Sequence, residues 1–116
     1  MAFQKIISGS FVIGQSESNV AQLNEGTLVG LTVSGSTLSG SAITFLASND
    51  GKTYLPLYDE DGNEVVVTVG AAARHYTLNP SVFFPWRFIK VRQGTSASAV
   101  LQAGQDTLLQ FNVTTL

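Results

Sequence analysis

Ala42-Ile43-Thr44-Phe45-Leu46-Ala47-Ser48-Asn49-Asp50-Gly51-Lys52-Thr53-Tyr54-Leu55-Pro56-Leu57-Tyr58 decides the fold. Its first seven residues put Ile43 and Phe45 on one face, the period of a strand. Ser48-Asn49-Asp50-Gly51 then reads as a tight reversal, because an Asp-Gly pair accepts the positive φ that hairpin turns need. Tyr54 to Tyr58 is the returning strand. Pro56 has no N–H to give a ladder, which places this strand at a sheet edge or at a bulge. A second reversal, Asp59-Glu60-Asp61-Gly62-Asn63, leads into the β-branched run Glu64 to Val69.

The same pattern extends outward. Thr27-Leu28-Val29-Gly30-Leu31-Thr32-Val33 alternates, with Val29 breaking the period. In Arg87-Phe88-Ile89-Lys90-Val91-Arg92, Ile89 and Val91 share one face and Phe88 and Lys90 the other. Thr107 to Thr115 is β-rich. No window of helical length holds a 3.6-residue period; the best candidate, Ser16 to Asn24, is short and flanked by Ser and Gly. Asn79 ahead of Pro80 predicts a single capped helical turn. Eight or nine short strands, with turns every 8–12 residues and no crossover helices, predict an all-β antiparallel two-sheet sandwich of jelly-roll type. Residues 1–116 read as one domain, with the Gly/Ser-rich Val33 to Ser41 as a loop between strands. The mildly apolar ends, Met1 to Val12 and Asn112 to Leu116, are placed to extend a sheet or reach a neighbour.

Composition narrows the chemistry. The 116 residues are 44% hydrophobic and only 12% charged, which speaks for a folded chain rather than a disordered one. A net charge of −2 argues against a nucleic-acid partner. The absence of Cys excludes disulfides, thiolate metal sites and cysteine nucleophiles, and a single His excludes any two-imidazole site within the chain. No targeting segment and no membrane-spanning run is expected, and no cofactor or metal is called for.

Four features are candidates for function. The acidic loop 59–64 resembles the start of a calcium loop, but Val66, Val67 and Val69 stand where later ligands belong, so it reads as a solvated turn. Residues 50–64 carry five acids and one Lys, whereas 74–92 carry four cations and no acid. That segregation suits either pairing between strands or a face that docks on an oppositely charged partner. His75, between Arg74 and Tyr76, reads as a strand-start residue, since no nucleophile elbow accompanies it. Phe83-Phe84-Pro85-Trp86-Arg87-Phe88 suits a docking anchor, a stacking platform with Tyr54 or Tyr58, or core filling by Phe83 and Phe88. Phe84, Trp86, Arg87 and Arg92 are the residues expected to contact a neighbouring chain. Arg87 and Arg92 differ in strand parity, so one of them is expected to pair within the chain, with Asp59 or Glu64, and the other to face outward.

From about Gly26 onward the chain also resembles a family of small tailed-phage virion proteins. The residues that carry the resemblance are Thr27 to Leu31, Leu38-Ser39-Gly40-Ser41-Ala42-Ile43-Thr44-Phe45, Ala47 to Tyr54, Leu57-Tyr58-Asp59 and Trp86 to Ser96. The resemblance is to jelly-roll capsid decoration or cement proteins. It implies a non-enzymatic virion structural protein, made in the host cytoplasm, that binds and stabilises the shell of the major capsid protein. It implies no catalytic residues, and a homo-oligomer, dimer or trimer, is expected with it. The Asp-Gly turn followed by an aromatic, with Arg87 to Val91, is also similar to discoidin-type sandwiches, which makes a glycan-binding module on a fibre or head projection the alternative.

Overall fold

The computed structural model describes residues 3–35, 38–70 and 72–115. Along the chain run β1 (Phe3–Phe11), β2 (Ala21–Gln22), β3 (Thr27–Gly35), β4 (Ala42–Ser48), β5 (Leu55–Pro56), β6 (Val66–Thr68), β7 (Arg74–Thr77), α1 (Pro80–Phe83), β8 (Phe88–Gln93) and β9 (Thr107–Thr115). One sheet has the order β1-β9-β3-β7, the other β2-β8-β4-β5, with β6 also on β4. Every pairing is antiparallel. The pairs are nested: β1 lies on β9, β2 on β8, β3 on β7, and β4 on β6, with β5 near the tip. That is one long hairpin rolled into two sheets, the jelly roll expected from the strand pattern.

Alternation fixes what goes inside. Leu109, Phe111 and Val113 of β9, Leu31 and Val33 of β3, and Phe11 of β1 turn into the sandwich. Ile43 and Phe45 of β4 and Ile89 and Val91 of β8 meet them from the other sheet, all four fully buried. Val29 breaks the alternation because β3 is bulged there: its register against β9 skips between Leu28 and Gly30. Leu28 and Leu31 therefore both point inward and Val29 is left on the outer side. Gly9 is required beside the Phe111 ring, since a Cβ there would stand 2.5 Å from the ring's Cε2.

The first hairpin forms as read. Ala47 pairs with Leu55 and Leu46 with Pro56, and β5 sits at the sheet edge where Pro56 gives up no ladder bond. Gly51 adopts φ +74°. Ser48 Oγ accepts from the Gly51 amide at 3.0 Å, and Asp50 Oδ1 accepts from the Lys52 and Thr53 amides at 2.8 and 2.9 Å. β4 departs from simple alternation: Thr44, Leu46 and Ser48 are buried too, because the loops after β4 and β8 fold over the outer face of their sheet. There the Lys90 ammonium lies over the Tyr54 ring, 4.6 Å from its centre. Ser16 to Asn24, the best helical candidate, contains instead the short strand β2. The expected Val33 to Ser41 loop begins later, since β3 runs through Gly35; Ser36 and Thr37 lie outside the described residues.

One end of the sandwich is closed by amides rather than by hydrocarbon. Gln93 Nε2 donates to Gln102 Oε1 at 2.7 Å, and Gln93 Oε1 accepts from the Gly40 amide at 2.7 Å. Gln102 Nε2 donates to the Gln105 carbonyl and to Thr107 Oγ1, at 2.8 and 3.0 Å. Gln93, Gln102 and Thr107 are at most 1% exposed. Such a network is stabilising only while complete, since each orphaned buried amide costs about 1–3 kcal/mol. Gln102→Leu should therefore lower stability in urea by about 2–4 kcal/mol, despite conserving volume.

The Asp50 turn provides a pH readout. The amides of Thr53 and Lys52, then the Ser48 hydroxyl, hold the Asp50 carboxyl below its ordinary value of 3.8. A depressed folded-state value means that the carboxylate's contribution is complete above 3.8 and is lost as pH falls through the lower folded value. The Lys52 and Thr53 amide resonances should titrate with a midpoint below 3.8 and stop titrating in Asp50→Asn.

Candidate functional site

The segment 79–87 positions the exposed aromatics. Asn79 Oδ1 accepts from the Ser81 amide at 3.2 Å and caps α1, with Pro80 in its first turn, as expected from the sequence. Phe83 drops into the core, its ring edge-on to Phe45 with centres 4.9 Å apart. The Trp86 amide donates to the Phe83 carbonyl at 3.1 Å and closes the turn. Phe84 is then thrown outward, with 74% of its surface in solvent. Trp86 lies half-buried against the core on the opposite flank. It therefore does structural packing as well as any docking, a role that the expectation of a surface anchor does not include.

On the Phe84 flank, Thr27, Val29, Pro80, Phe84 and Thr114 line a groove of about 760 Å³. A neighbouring depression shares Val29 and adds Ile6, 60% exposed, with Lys5. A third holds Lys5, Glu25, Arg87 and Phe88. The shared residues, Val29, Lys5 and Glu25, make these one surface: an apolar strip, Ile6–Val29–Phe84, with Lys5, Arg87 and Glu25 at its rim.

On the Trp86 flank, two grooves of about 320 and 540 Å³ share Tyr58 and Trp86 as walls. Leu55, 64% exposed, and Pro56 extend the apolar part. Asp59, Glu60 and Asp61 form the other side, and no cation among the described residues lines either groove. The loop itself is a turn: one Asp59 carboxylate oxygen accepts from the Asp61 and Asn63 amides, each at 2.9 Å.

The two arginines separate as their parity requires. Arg92 is only 7% exposed. Its Nη2 donates to Glu64 Oε2 at 2.8 Å, and its Nε donates to Thr44 Oγ1 at 3.1 Å. Glu64 also accepts from the Ser96 amide and hydroxyl. The contact with a neighbouring chain expected of Arg92 is corrected by this burial: the side chain is covered by its own loops and held by Glu64. Arg87 is exposed and makes no ion pair among the described residues. Lys90 pairs with Glu17 at 3.4 Å. Part of the charge segregation is thus neutralised inside the chain, while Lys5 and Arg87 on one flank and Asp59, Glu60 and Asp61 on the other form no ion pair among the described residues.

His75 lies on the outer face of its sheet. Thr32 Oγ1 accepts from Asn112 Nδ2 at 3.1 Å and shares a hydrogen bond with His75 Nδ1 at 2.8 Å. The row ties three neighbouring strands together across the sheet.

No protein-family model matches the sequence, and no curated protein matches it. Among solved structures the chain is similar to the SPBc2 prophage-derived protein YomS. The match has a TM-score of 0.54 and spans 97% of this chain and 96% of that one at 12% identity. At that identity the likeness is one of fold, from end to end.

Ile6, Val29 and Leu55 complete the two surfaces, and sequence reasoning does not single them out as contact residues; Tyr58, one of the two tyrosines offered as a stacking partner, does share groove walls with Trp86. Val29 alone carries a local signal, the break in alternation that marks the bulge. The Arg92–Glu64 pair carries its own test. Glu64→Ala strands a nearly buried guanidinium and should cost roughly 3 kcal/mol in denaturant unfolding, whereas replacing both residues with leucine should recover most of that loss.

Proposed function

We propose that this chain is a non-enzymatic structural protein of a phage particle. In this reading it is a decoration or cement protein that binds and stabilises the shell of the major capsid protein. The observation that carries the reading is Phe84. A large ring held 74% in solvent on a capped, proline-stiffened turn is a preformed anchor, since the ordering cost of docking is already met. The strip it belongs to adds Val29 and Ile6, with Arg87 and Lys5 to engage acidic groups. The end-to-end likeness to a prophage-derived protein supports the phage setting, as does the family resemblance of Leu38 to Tyr54 and Trp86 to Ser96. Repetition over a lattice turns a modest interface into large mechanical resistance through avidity.

The glycan alternative rests on the Tyr58–Trp86 groove. Three carboxylates at its rim suit a cationic surface better than a neutral sugar ring, and Trp86 gives part of its surface to the core. Decoration is therefore preferred.

Particles assembled without this protein should lose DNA on heating or at low salt sooner than decorated ones, and adding the purified chain should restore them. Phe84→Ala should weaken binding to undecorated particles by about 2 kcal/mol or more while leaving the melting temperature of the free domain unchanged. Equal shell stability with and without the chain would refute the role.

A further inference from the structure

We infer that the partner of the Phe84 face is a second copy of this chain, docked through its opposite flank. The inference rests on the proposed docking role of that face: on a shell, neighbouring copies hold one another through it, and Phe84→Ala weakens particle binding by loosening that array. The two flanks of the 79–87 segment are complementary in kind and opposite in sign. One is an apolar strip, Val29 and Phe84, rimmed by the cations Lys5 and Arg87, with Glu25 as its one acid. The other is an apolar groove, walled by Leu55, Tyr58 and Trp86, rimmed by Asp59, Glu60 and Asp61 with no cation among the described residues.

Neither rim is neutralised within the chain: the ion pairs of the described residues are Lys90–Glu17 and Arg92–Glu64. A contact that set either flank on its own counterpart would place like against like, with three carboxylates facing three carboxylates. The favourable contact sets one flank against the other: Phe84 enters the Tyr58–Trp86 groove of the second copy, and Arg87 meets its carboxylates. The two flanks border one segment and share Ser81, so a two-fold pair makes both contacts at once, each copy setting one flank on the other flank of its partner.

Sedimentation velocity of the full chain over a range of concentration and salt tests this. The expected result is self-association that weakens as salt rises, because the paired rims are exposed enough to be screened. Arg87→Glu should weaken association roughly tenfold or more, and so should the double variant Glu60→Arg, Asp61→Arg, with both remaining folded because all three side chains are exposed. Mixed one to one, the two variants should associate with each other again. The reversed cationic rim of the first then meets the reversed acidic rim of the second, and the unaltered rims meet as in the wild type. A chain carrying all three substitutions should also associate as the wild type does, since both of its rims are reversed together. A wild-type chain that stays monomeric at every concentration, association that is indifferent to Arg87→Glu, or a triple variant that fails to recover would each overturn the inference. Co-sedimentation with undecorated particles separates the two readings. A monomer that binds particles removes the self-contact and leaves the decoration role, whereas an oligomer that ignores particles does the reverse.

Discussion

The edge-on contact between Phe83 and Phe45 is the constraint on which the surface chemistry depends. Phe45 stands at the centre of β4, fully buried, and Phe83 is the one fully buried side chain of α1, with Val82 packed partly against the core beside it. With Phe83 pinned, the residues after it have no freedom in direction. Phe84 must leave on one flank, and Trp86, tied back to the Phe83 carbonyl, must lie along the other. A turn of four residues has little stability of its own. It is Phe83, and the Asn79 cap ahead of it, that make the turn a rigid mount for two aromatic rings.

The strands with strong local signals are legible from the sequence. β3, β4, β8 and β9 alternate or are rich in β-branched residues, and Pro56 announces an edge. β1, β2 and β7 carry no such signal. β1 is interrupted by Ser8, Gly9 and Ser10, and Gly9 is small because Phe111 occupies the space a side chain would take. β2 has two residues, too few for any period. β7 reads Arg74-His75-Tyr76-Thr77, with only Tyr76 turned inward. In all three the strand state is imposed by the neighbour across the ladder, and a linear pattern does not record the neighbour.

The candidate surfaces are legible in proportion to how local they are. Phe84 and Arg87 stand out because Pro85 and strand parity constrain their immediate surroundings. Arg92 is the counter-example: its parity correctly separates it from Arg87, but its outward direction meets a sheet face that two loops have roofed over. Both turns of the first loop are signalled by their Asp-Gly pairs, yet nothing in those residues reveals that the loop folds back onto the strand it came from. Ile6 and Val29 join Phe84 only through the ladder that brings β1 and β3 to either side of β9.

That ladder has a consequence for how the chain acquires its structure. β9 lies between β1 and β3 and is the last of the described strands to be synthesised, so during translation the first and third strands wait with an empty place between them. The nine-residue register of β1 with β9 joins the two extremes of the described chain. Contacts of such long separation make folding slow, because the loop-closure entropy must be overcome before pairing rewards it. The sheet that holds β1, β9 and β3 is therefore completed only after residue 115 has cleared the ribosome. Until then, the unpaired flanks of β1 and β3 are the places where a nascent chain of this topology is open to pairing with the wrong partner.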